Sequence, residues 1–122
     1  MSIEFYRVLH FFGIMLVFMA LGGVCLHVIN GGVKASTAFR KAAAATHGLG
    51  LVLVLVAGFG LLARTGLSLS ASAWLWPKLL IWLILGGITV LMWRKPMAGR
   101  ALWFVVPLLG LVAAWLAVTK PF

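Results

Sequence analysis

Residues 8–29 read VLHFFGIMLVFMALGGVCLHVI, a stretch with no Asp, Glu, Lys or Arg. At 1.5 Å per residue a helix of this length spans about 33 Å, and the hydrocarbon core of a bilayer is roughly 30 Å thick. Three further runs repeat the pattern: Ala42 to Ala63, Trp74 to Trp93 and Ala101 to Val118. The composition agrees, at 65% hydrophobic and 9% charged residues with a mean hydropathy of +1.21. No soluble core of 122 residues absorbs that much apolar surface. Backbone polar groups in lipid must be satisfied within each segment, so the runs are helices. The predicted fold is all-α, an integral membrane four-helix up-and-down bundle. It forms a single transmembrane domain over 1–122, with helices at about 5–30, 36–64, 73–94 and 99–119.

The first run is too long for a cleaved signal peptide. It has no basic cluster before it, and Leu26-His27-Val28 stands where small residues would be needed for cleavage. It is read as a retained helix. Cys25 lies inside it with no second cysteine to pair with, so it is read as a small core residue. Pro107 removes a backbone donor inside the fourth run, and a kink is expected there.

The net charge of +9 would suggest nucleic acid in a soluble chain. Here the basic residues cluster at the ends of the apolar runs, so they are read as anchors to lipid headgroups, with no nucleic-acid partner. Lys34, Arg40 and Lys41 follow the first run, and Arg94, Lys95 and Arg100 follow the third. The opposite side carries Arg7, Arg64 and Lys120, with Glu4 offsetting one of them. By the positive-inside rule the two basic loops face the cytoplasm and both termini lie outside it. Trp74, Trp76 and Trp115 then mark the outer interface, and Trp93 and Trp103 the inner one. The expected partner is the lipid bilayer, with room for homo- or hetero-oligomers in the membrane.

Within the runs the small residues Gly13, Ala20, Gly50, Ala57, Gly58, Gly86 and Gly87 are candidates for close helix contacts or for room beside a flat ligand. The polar inventory is short: His10, His27, His47, Lys78, Thr46, Thr89 and the indole of Trp82. Ionisable side chains in a membrane helix are costly unless paired, solvated or ligated, so each is a functional candidate. His10 and Lys78 both lie near the starts of helices that enter from the same side, so they share a depth. On the third helix Lys78, Trp82, Leu85, Thr89 and Met92 fall on one stripe, which is expected to face the bundle interior. His47 lies deeper, on a stripe with Gly50, Val54 and Gly58 that points toward a helix contact. His27 is turned about 100 degrees from His10 around helix 1 and sits near the opposite interface.

The absences exclude whole classes. Without Asp and with Glu4 alone there is no carboxylate pair for acid/base work and no carboxylate metal cluster. A single cysteine excludes a CxxC redox pair. Histidine in an apolar four-helix bundle suits haem ligation, with Arg or Lys pairing the propionates. The candidate cofactor site is therefore His10, Lys78, His47, Trp82 and Arg7, with His10 and His47 as the metal ligands and haem as the cofactor.

The string Tyr6-Arg-Val-Leu-His10 opening helix 1, and Trp74-Leu-Trp-Pro-Lys78-Leu-Leu opening helix 3, resemble the helix openings of a group of small bacterial membrane proteins. The group includes the HemJ-type oxygen-independent protoporphyrinogen oxidases, the SirB-like proteins and the CopD copper-resistance domain. The resemblance implies a four-helix membrane core with the helix 1 histidine and helix 3 lysine as its polar pair. For HemJ-type proteins it also implies haem binding and porphyrinogen oxidation, in the bacterial inner membrane. Two departures stand beside it: the chain is shorter than such oxidases, and His47-Gly-Leu-Gly50 is not part of their pattern. Three readings remain open: a haem-binding redox protein, a non-enzymatic membrane subunit or scaffold with structural histidines, and a permeation element using the three histidines.

The charge asymmetry yields a topology prediction. A reporter fused after Phe122 is expected to be active only when it requires the extracytoplasmic (periplasmic) side, and activity confined to the cytoplasm would reverse the orientation.

Overall fold

The computed structural model describes residues 2–32 and 38–121. They form four long helices, α1 (Ile3–Ile29), α2 (Arg40–Arg64), α3 (Leu75–Arg94) and α4 (Gly99–Thr119), with a 3-10 turn at Pro96–Ala98 before the last. All four are long and apolar enough to cross a membrane. The predicted all-α bundle is thus the observed one, and both ends of the described chain lie at the same end of it.

The helix boundaries shift for local reasons. Helix α1 begins before the predicted position because the Ser2 hydroxyl accepts a hydrogen bond from the Phe5 amide at 3.1 Å, and Glu4 sits in the positive first turn. Helix α3 begins two residues later than predicted, because Leu75 N to Ser72 O and Trp76 N to Ala73 O are tight turn bonds that precede regular winding. The predicted start of helix 2 at residue 36, and the loop lysine Lys34, lie outside the described residues. Residues 38 and 39 form a turn, and α2 winds from Arg40. Helix α4 runs unbroken across Pro107, which leaves the Trp103 carbonyl without its usual donor four residues on.

Lipid chains are as apolar as leucine, so association rests on packing and on hydrogen bonds rather than on expelling water. The tightest pair is α1 with α2. A methyl group built on Gly50 would stand 2.8 Å from the Gly13 carbonyl oxygen, and one on Gly13 would stand 2.9 Å from that of Gly50. The two backbones therefore touch, as the small-residue reading expected. That reading does not extend to Gly87, where a methyl would meet open space, and at Gly86 it would meet only Leu51 at an ordinary 3.6 Å. Adjacent residues on a helix point about 100 degrees apart, so a Gly-Gly pair cannot present both members to one neighbour. Helices α2 and α3 stay farther apart, and side chains span the gap between them. The core forms where α1, α3 and α4 meet, with Leu21 and Met92 fully buried at its centre.

Replacing Gly50 by Leu is expected to destabilise the bundle by about 3 kcal/mol or more, since the added atoms press on backbone that cannot swing aside. Gly87→Leu serves as the comparison and is expected to change little. Thermal unfolding in detergent checks both, and equal melting temperatures would contradict the backbone contact.

Candidate functional site

Every hydrogen bond that links two helices among the described residues has the same form. A side-chain donor reaches a main-chain carbonyl of a neighbouring helix. His10 Nδ1 lies 2.9 Å from Val54 O, His47 Nε2 lies 3.0 Å from Leu85 O, Trp82 Nε1 lies 3.0 Å from Leu51 O, and Cys25 Sγ lies 3.1 Å from Gly99 O. The cause is compositional. A chain whose only side-chain carboxylate is Glu4, at a helix start, has donors inside the bilayer but almost no side-chain acceptors. Helical carbonyls carry a second lone pair, and the donors use it.

A carbonyl can only accept, so these contacts fix the histidine tautomers. His10 carries its proton on Nδ1 and leaves Nε2 with an open lone pair. His47 carries a proton on Nε2 and uses it to tie α2 to α3. The reciprocal bond from Trp82 back to Leu51 lies one turn along, so α2 and α3 are laced twice in the middle of the membrane.

Beyond that lacing, toward the end that carries both termini, α2 and α3 enclose a cavity of about 380 Å³ with α1 and the last turn of α4. Its polar lining includes His10, Lys78, Arg7 and Lys120, and Trp82 forms part of its wall. Among the described residues no carboxylate lines it. His10 on α1 and Lys78 on α3 face the same space. The Lys78 ammonium sits 5.8 Å from the centroid of Trp74, and that of Lys120 sits 5.2 Å from the same ring. Lys120 also donates to Ala117 O at 2.7 Å, whereas Lys78 has no hydrogen-bond acceptor among the described residues. Three N–H bonds of a half-buried ammonium are thus left to whatever enters the cavity.

Four of the five sequence-predicted cofactor residues, His10, Lys78, Trp82 and Arg7, therefore meet at one cavity. His47 does not join them. It is buried about 10 Å further along the α2 axis than Val54, the level at which His10 is held, and its Nε2 is committed to Leu85. Among the described residues no group of three or more His, Cys, Asp or Glu is placed to hold a metal. His27 packs edge-on to Trp93 at the other end of the bundle, with ring centroids 6.0 Å apart. Arg64, expected beside Arg7 and Lys120, is not among the lining residues. The sequence reading assigned Trp74 to the interface only. Its spacing of four from Lys78 on one helix face was the signal that it belongs to the site.

Fold and site together define a class: a small multi-pass four-helix membrane protein with a cationic, aromatic-walled cavity at the end of the bundle that carries its termini. The chain matches no family model, no curated protein and no solved structure.

Gly58 fixes the position of His10. A methyl on Gly58 would lie 3.3 Å from His10 Cε1 and 3.5 Å from Nδ1, so Gly58 faces the imidazole and not lipid. Gly58→Leu is expected to push His10 off Val54 and to lower stability in detergent by about 1–3 kcal/mol. An unchanged melting temperature together with an unchanged His10 imidazole signal in NMR spectra would contradict the contact.

Proposed function

We propose that this protein is a haem-binding, redox-active membrane protein in which His10 ligates the iron and Lys78 completes the polar side of the site. The observation that carries the reading is the His10 tautomer. An imidazole whose Nδ1–H is held by a backbone carbonyl presents the lone pair of Nε2, which is the usual arrangement of a metal-ligating histidine. The remaining lining fits the group as well. Arg7, Lys78 and Lys120 offer positive charge to propionates, and the aromatic walls suit a flat apolar ring. Bound haem would supply one-electron chemistry at its iron.

The chain's own residues would do the rest. Val54 O orients the imidazole, Trp82 closes off the space toward the middle of the membrane, and the unpartnered Lys78 ammonium binds an acidic group or exchanges a proton with it. The resemblance of the two helix openings to HemJ-type, SirB-like and CopD proteins supports the same assignment. The same reading puts the protein in the bacterial inner membrane with its termini on the periplasmic side, for which the basic loops are the support. His47 enters this reading as a structural residue. A second reading, a non-enzymatic subunit or scaffold, is favoured by the fact that His10, His47 and Trp82 each make a bond that holds helices together.

An absorption spectrum of the detergent-purified protein decides between them. The expected result is a Soret band, present as isolated or after haem addition. It should be lost in His10→Ala, and in Lys78→Met it should persist with roughly tenfold weaker haem affinity. Circular dichroism should show both variants helical. A preparation that stays colourless after haem addition would overturn the proposal and leave the scaffold reading in front.

A further inference from the structure

Three features of the cavity do not depend on iron chemistry. The first is charge: among the described residues Arg7, Lys78 and Lys120 line one small space with no carboxylate beside them, and Lys78 has no hydrogen-bond acceptor. An occupant must bring acceptors and negative charge. The second is place. The cationic groups stand at the ends of α1 and α4 and about one turn into α3, with exposed Trp76 and Trp115 at the same end of the bundle. Indoles at that level mark where headgroups begin. The third is the side wall. Beside the cations the wall is apolar, formed by Leu55, Phe59, Leu62 and Leu79 where α2 and α3 stand apart. Phe59 is 41% exposed, so the wall is open to the surroundings of the bundle, which in a bilayer are acyl chains.

We propose that this cavity is a binding site for an acidic phospholipid, whose phosphate sits among Arg7, Lys78 and Lys120 while the first part of an acyl chain enters the α2–α3 seam above Trp82 and leaves past Phe59 into the bilayer. A water-soluble anion would satisfy the cations but leave the leucine wall uncovered. A zwitterionic lipid would bring its own ammonium against three other cations. An acidic lipid meets both demands. The proposal rests on the reading of the cavity as a ligand site, and not on the ligand being haem; where haem binds, it displaces the lipid from the same cations.

The left-handed backbone at Lys120, φ 45°, supplies a variant that keeps the fold. Glycine takes that conformation without strain, so Lys120→Gly removes an ammonium and relieves the backbone. Delipidated protein in detergent is titrated with phosphatidylglycerol or phosphatidylcholine and the bound lipid counted by native mass spectrometry. The wild type is expected to retain one phosphatidylglycerol about tenfold more tightly than phosphatidylcholine, and Arg7→Gln/Lys120→Gly to lose that preference with its helicity intact. Excess inorganic phosphate should not displace the lipid. Equal retention of the two lipids, an unchanged preference in the double variant, or displacement by inorganic phosphate would each overturn the proposal. The haem reading is scored separately by the absorption spectrum. A protein that stays colourless after haem addition but retains phosphatidylglycerol sinks that reading alone, and one that binds haem yet shows no lipid preference before haem is added sinks this one alone.

Discussion

The structure depends on a shortage of acceptors. A membrane chain with one acidic side chain, placed at the start of its first helix, cannot pair its buried donors with carboxylates. It pairs them with the spare lone pairs of helical carbonyls. His10, Cys25, His47 and Trp82 each do so across a helix interface. Such bonds are worth about 0.6–2 kcal/mol each in a membrane, modest singly but well directed, because a carbonyl on a rigid helix offers one position and one approach. The acceptor shortage therefore sets tautomers and helix register together.

The same shortage produces the cavity. Where two backbones can touch, as at Gly13 and Gly50, the bundle closes by van der Waals contact. Between α2 and α3 it is held instead by the long reach of an indole and an imidazole, so the helices stand apart. Past the last of these struts the gap is open, and Lys78 projects into it without an acceptor. A half-buried ammonium in that state is tolerable where water or an anionic guest reaches it, which links the packing defect to the chemistry of binding. Trp74, approached by two ammonium groups, holds the cations near the mouth without neutralising them.

Much of this was legible along the chain. Depth in a membrane helix is one-dimensional, so counting residues from the interface placed His10 level with Lys78 and set His47 deeper. The stripe Lys78, Trp82, Leu85, Thr89 and Met92 was read as inward, and Leu85 and Met92 are indeed buried. Rotation about the helix axes relative to neighbours was not legible, because it follows from which helix pair packs closest. Hence the lipid-side placement of Gly87, the contact of Gly58 with His10 and the bond from Cys25 to Gly99, at the far end of the sequence, emerged only in three dimensions.

The sequence by itself determined that four helices cross the membrane, since length and hydropathy alone satisfy the backbone in lipid, and it determined that the donors would outnumber the acceptors. The tertiary structure decided which carbonyl each donor found and which donor found none. His47 and Trp82 became struts, His10 kept a free Nε2 beside a cavity, and Lys78 was left facing it. The physical reason is that a carbonyl's second lone pair is available on every turn of every helix. Composition cannot choose among such equivalent acceptors; only the approach of two particular helix faces can.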